Sequence, residues 1–81
     1  MKETRFTIAL RKARAEAMLT QRQLADALGV TVPAVSKWEC GTAYPRAGSV
    51  AALVKVLGNP ELLAAWRSEP ADVVYNDGKG D

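Results

Sequence analysis

The side chains able to do chemistry in this chain point away from catalysis. Histidine is absent and cysteine occurs once, at Cys40. A zinc site of the usual kinds, a Ser-His-Asp triad and a Cys-His pair therefore lack their members. No cluster of paired carboxylates stands in for them, so no enzyme, metal site or cofactor is expected. What the chain does hold is positive charge, unevenly spread. Residues 1–58 carry nine Lys and Arg against four acids, a net +5, whereas residues 59–81 carry two against five, a net −3. A basic body favours a polyanionic partner. On charge alone, a lopsided solvated surface is an equally good reading.

One stretch narrows the choice. "GVTVPAVSKWECG", residues 29–41, reads as a turn, a cap at Thr31 and a short helix with Pro33 in its first turn. At 100° per residue, with Val35 pointing inward, Val32, Trp38 and Glu39 fall within about a quarter-turn of it. Pro33, Lys37 and Cys40 fall opposite, with Ser36 beside them and Ala34 on the other flank. If this helix enters a DNA groove, Lys37 is its strong reader, able to donate to O6 or N7 of guanine. Ser36 reaches a base or a phosphate. Val32, Pro33 and Ala34 suit thymine methyl groups. On an arbitrary helix Lys37 would simply be solvated, so the elements around it must decide.

Those elements read as all-α. The 81 residues are 48% apolar and 25% charged, enough for one small domain with a single core. Apolar positions Phe6, Leu10, Ala13 and Ala17 mark a first helix over residues 6–17, capped by Thr4 or Thr7. Thr20 with Gln23 forms a capping box for a second helix over residues 21–28, with Leu24, Ala25 and Leu28 inward and Gly29 as its stop. The third helix ends near Cys40, with Gly41 as the stop. "TAYPR" is a loop. Residues 47–57 form a fourth helix with Val50, Leu53, Val54 and Leu57 inward. Asn59 and Pro60 open a fifth helix, residues 60–67. The domain is expected over residues 1–68, followed by a tail, 69–81, extended or disordered. In that tail "DVVY" offers one short strand and "NDGKGD" a mobile end. No apolar run reaches membrane-spanning or signal-peptide length, because Arg11 and Lys55 interrupt the candidates. A lone cysteine favours a reducing, cytoplasmic setting.

The second and third helices make a helix-turn-helix. Ala25 is small where the helices cross, Gly29 turns the chain, Val30 and Val35 fill the angle, and Trp38 continues the inner face. Through "LTQRQLADALGV", "VSKWECG", "YP" and "LVKVLG", from about residue 6 to 57, the chain resembles the phage repressor and Cro-like helix-turn-helix family, with its lambda-repressor-like fold. That resemblance implies a compact five-helix domain of a transcriptional regulator, commonly a homodimer on a palindromic double-stranded operator, in the nucleoid of a bacterial cytoplasm. It implies a phosphate contact and a bracing role for Gln21, a cap and phosphate contact for Thr31, and a structural ion pair between Arg14 and Glu39. Arg11, Arg22 and Arg46 are the remaining phosphate candidates, with Lys12 behind them. Two positions depart from the family pattern. Cys40 stands where a polar or basic residue is common. Met18 stands where a glycine or small polar residue ends the first helix.

The partner side is more open. Leu62, Leu63 and Trp66 form an apolar stripe on the fifth helix. Trp66 and Leu63 are candidate dimer contacts, with packing inside the subunit an equal reading for Trp66. "DVVY" is a candidate for pairing with its symmetry mate, and the tail for binding a protein partner. A repressor is the first reading. An antitoxin that binds both its operator and a toxin is the second, and a protein-interaction module the third.

Overall fold

Four of the five helices start where a side chain satisfies an early amide; the fourth, opening after Arg46, has no such cap. The computed structural model describes residues 3–68, 74–76 and 78, and places α1 at Arg5–Glu16, α2 at Gln21–Leu28, α3 at Val32–Cys40, α4 at Ala47–Leu57 and α5 at Glu61–Arg67. Thr4 and Thr7 cap α1 together. The Thr7 amide donates to the Thr4 hydroxyl (3.2 Å) and the Thr4 amide to the Thr7 hydroxyl (2.8 Å). Thr20 and Gln23 make the same reciprocal pair at α2, at 3.0 and 2.9 Å. Thr31 accepts from the Ala34 amide (3.2 Å) to open α3. At α5 the Asn59 side chain accepts from the Glu61 amide (3.0 Å), and Pro60 already has helical dihedrals.

The α1 terminus carries the one described non-glycine residue with positive φ. Met18 sits at φ +59° and is 88% exposed. Its amide donates to Ala15 and that of Leu19 to Arg14, so the turn closes the helix in the manner glycine usually does. A left-handed residue with a Cβ costs about 1–2 kcal/mol, part of which glycine returns as unfolded-state entropy. Met18→Gly is therefore expected to stabilise the chain by about 0.5–1 kcal/mol, read as a higher urea midpoint at unchanged slope. A lower midpoint would mean the methionine side chain contributes more than its backbone costs.

All five helices feed one core. It contains Phe6, Leu10 and Ala13 from α1, Leu24 and Ala25 from α2, Ala34, Val35 and Trp38 from α3, Leu53 from α4, and Leu62 and Ala65 from α5. α1 packs on α5 and α3, α2 on α3 and α4, and α4 on α5. Leu28, Val54 and Leu57 are only partly buried against it. Ala17, expected on the inner face, is exposed, because α1 ends before it. The loop supplies an unexpected core residue, Tyr44. Its ring lies 5.5 Å from that of Phe6, tilted by 40°, and its hydroxyl bonds the Thr4 hydroxyl.

The described part of the tail returns to this same loop. The Tyr44 amide donates to the Val74 carbonyl (2.6 Å) and the Asn76 amide to the Tyr44 carbonyl (2.8 Å), giving one isolated parallel bridge between Tyr44 and Tyr75. Tyr75 thus pairs within its own chain, which corrects the expectation that "DVVY" waits for a symmetry mate. Asn76 and Gly78, expected in a mobile end, are docked as well. The Trp38 indole N–H donates to the Asn76 carbonyl (3.0 Å), and the Thr31 amide donates to the Gly78 carbonyl (3.2 Å). A buried indole N–H and a helix-start amide both need acceptors, and the tail backbone supplies them. The rest of "DVVY" and "NDGKGD" lies outside the described residues.

Candidate nucleic-acid interface

The turn between α2 and α3 is built as the motif requires. Gly29 adopts φ +71°, the Val30 amide reaches back to the Ala25 carbonyl (3.0 Å), and Ala25 and Val35 are buried between the helices. On α3 the buried residues are Ala34, Val35, Trp38 and Glu39, an arc of roughly 140°. Pro33 is exposed, and Val32, Ser36, Lys37 and Cys40 are half-buried. The outward stripe is therefore Pro33, Ser36, Lys37 and Cys40, as expected. Ala34 is corrected: it is fully buried and cannot meet a thymine methyl. Helix α3 packs against both α1 and α2, which widens its inner face beyond that of a helix with one neighbour. Val32 also leans on the core with part of its side chain.

A polar network fixes how α3 sits. The Glu39 carboxylate is nearly buried and accepts from Arg14 Nε (2.5 Å), Arg14 Nη2 (3.0 Å) and Gln21 Nε2 (3.0 Å). Arg14 Nη1 also donates to the Leu19 carbonyl (2.9 Å). The hydrogen bonds from Arg14 to Glu39, helped by their Coulomb attraction, hold the guanidinium more firmly protonated than usual, against the opposing effect of burial. Three helices are joined here. Arg14 comes from α1, Gln21 from the first position of α2 and Glu39 from the end of α3. The structure thus gives Gln21 its bracing role directly.

The other expected phosphate contacts divide. Arg22 is exposed and only loosely paired with Asp26, at 3.8 Å one helical turn away. Such an exposed pair contributes little and leaves the guanidinium available. Arg46 is exposed at the start of α4, its guanidinium 5.5 Å from the centre of the Tyr75 ring. Arg11 is corrected. It donates to both oxygens of Glu3 (2.6 and 2.7 Å) and to the Glu39 carbonyl (3.2 Å), so its donors serve the protein itself. At Thr31 the hydroxyl accepts from Ala34 and the amide is taken by Gly78, so the amide offered to phosphate at the sequence level is already engaged.

Trp66 is turned into its own subunit. Its indole N–H donates to the Pro45 carbonyl (2.8 Å) and its ring packs on the core. This agrees with the reading in which Trp66 packs within its own subunit, its polar end closing the α4–α5 side of the same chain. Leu63 beside it is half-buried. Sequence reasoning missed Tyr75, Asn76 and Gly78 as neighbours of the motif. Their contacts run largely through backbone carbonyls and amides, which residue types do not reveal. Among the described residues, no group of three His, Cys, Asp or Glu could hold a metal ion.

A family model described as helix-turn-helix matches residues 10–63, about two thirds of the chain. No curated protein and no solved structure matches it.

Proposed function

The chain belongs to the helix-turn-helix family of lambda-repressor and Cro type and is a DNA-binding regulator; on that premise we propose that it is a small repressor that lays α3 in the major groove. The observation that supports this best is the division of α3. Its inner arc is engaged by the core and by the Glu39 network, while Pro33, Ser36 and Lys37 share the outward stripe. In this reading Lys37 donates to guanine, Ser36 to a base or phosphate, and Val32 and Pro33 meet methyl groups. Arg22 and Arg46 take backbone phosphates, and Gln21 takes one while still bracing Glu39. So few base contacts per subunit call for two subunits on a palindrome, with half-sites about one helical turn apart. The working place is the bacterial nucleoid, and a phage-type or self-regulating repressor fits the size. A docked tail gives the antitoxin reading no added support.

The test is binding to the DNA upstream of the chain's own gene at about 50 and 200 mM salt, against unrelated duplex. Steep salt dependence with clear sequence preference is expected. Arg46→Ala should weaken every duplex alike and lower the salt slope by about 0.9. No binding even at low salt would end the proposal.

A further inference from the structure

The described tail lies across groups that the proposed DNA contact needs. The Gly78 carbonyl takes the Thr31 amide at the N-terminus of α3. The Tyr75 ring faces the Arg46 guanidinium. Gly78 itself is buried at φ +85°, and a Cβ there would stand 2.5 Å from the Val30 side chain and 3.3 Å from the Trp38 ring. The Asn76 side chain accepts from the Gly78 amide (2.7 Å), which shapes this tip. Residues 69–81 hold four acids and one lysine, a net −3.

We infer that residues 74–76 and 78 belong to a self-docked strap that competes with DNA for the start of α3 and for Arg46, so that tail docking and full DNA engagement exclude one another. This rests on the DNA reading above. The strap is suited to release. Its described polar contacts include a few backbone hydrogen bonds, one indole N–H and a cation–π contact, and each contributes modestly on balance. Val74 is 66% exposed, so little apolar surface secures it, while Tyr75 is 40% exposed. A phosphate arriving at Thr31 must displace the Gly78 carbonyl, since one amide serves one acceptor well. Apparent affinity for DNA is then reduced by the fraction of chains whose strap is undocked.

The test uses the full chain, its Tyr75→Ala and Gly78→Ala variants, and the duplex from upstream of its own gene. Docking is read separately from DNA binding, as protection of the Trp38 indole N–H from hydrogen exchange, since that group lies outside the proposed DNA contact. The strap predicts protection in the free wild type and loss of it at saturating DNA. Both variants should lose protection and bind DNA tighter, by about tenfold if the strap is docked nine-tenths of the time. Tyr75→Ala places no Cβ against Val30 or Trp38, so it keeps the inference testable should Gly78→Ala fail to fold. Protection that persists at saturating DNA, or unprotected variants that bind no tighter than wild type, would overturn the competition. If neither wild type nor variants bind at low salt, the DNA reading itself has failed, and the strap's competition with it. Protection in the free chain then still reports that the tail docks.

Discussion

Arg14→Ala is expected to remove about 3–5 kcal/mol of stability, because it leaves the Glu39 carboxylate nearly buried without its cation. Gln21 stays bonded to Glu39, but one neutral amide cannot replace two charge-assisted bonds from a guanidinium. At this chain length such a loss lowers Tm by roughly 15–30 °C, a large share of what a small domain has. The partners should be unequal. Arg14 is the more exposed of the two, so Glu39→Gln leaves a guanidinium that water can reach and costs less. Replacing both by leucine should cost less than Arg14→Ala alone, since no unpaired charge remains. Urea titrations of the three variants measure this ordering. A loss below about 1 kcal/mol for Arg14→Ala would show that Glu39 finds solvent or another donor.

Lys37→Ala is expected to lower discrimination between operator and unrelated DNA by about 1–3 kcal/mol, roughly tenfold or more in relative affinity. The reason is position. Lys37 is on the outward stripe, and its own carbonyl accepts from the amides of Gly41, Thr42 and Ala43, which closes the end of α3. Its backbone is therefore fixed at the end of α3, although the lysine side chain still loses rotamer freedom when it reaches a base. Competition binding against random duplex reads the effect. Equal losses on operator and random DNA would make Lys37 a phosphate contact and remove it from the readers. Arg46→Ala supplies the contrast, since its loss should ignore sequence.

The parts of this fold that were legible in the sequence are the short-range ones. Thr20 with Gln23, Thr31 with Pro33, and the glycines at 29 and 41 set three boundaries through contacts within one turn. The Arg14–Glu39 pair came from family resemblance, and its geometry agrees. What stayed hidden depends on which distant groups meet. Ala34 was assigned to the margin of the reading face because helical phase gives directions and not the number of neighbours. Arg11 looked like a surface cation because nothing local shows that Glu3 curls back to it. Tyr44 lies in a loop, without the periodic company that marks a core residue. The tail could not be placed at all, since Trp38 and Asn76 are 38 positions apart and meet through a backbone carbonyl. A carbonyl is the same in every residue type, so composition carries no trace of the contact.

Tyr44 has a consequence for how the chain comes together. Its hydroxyl reaches Thr4, 40 positions earlier, and its backbone holds the segment around Tyr75. Two large loops therefore close on one mid-chain residue, and each closure fixes chain entropy before its contacts compensate. Most of a helical domain folds through near neighbours and quickly, but these links raise its contact order. The start of α1 and the described tail thus meet at one mid-chain loop residue, Tyr44.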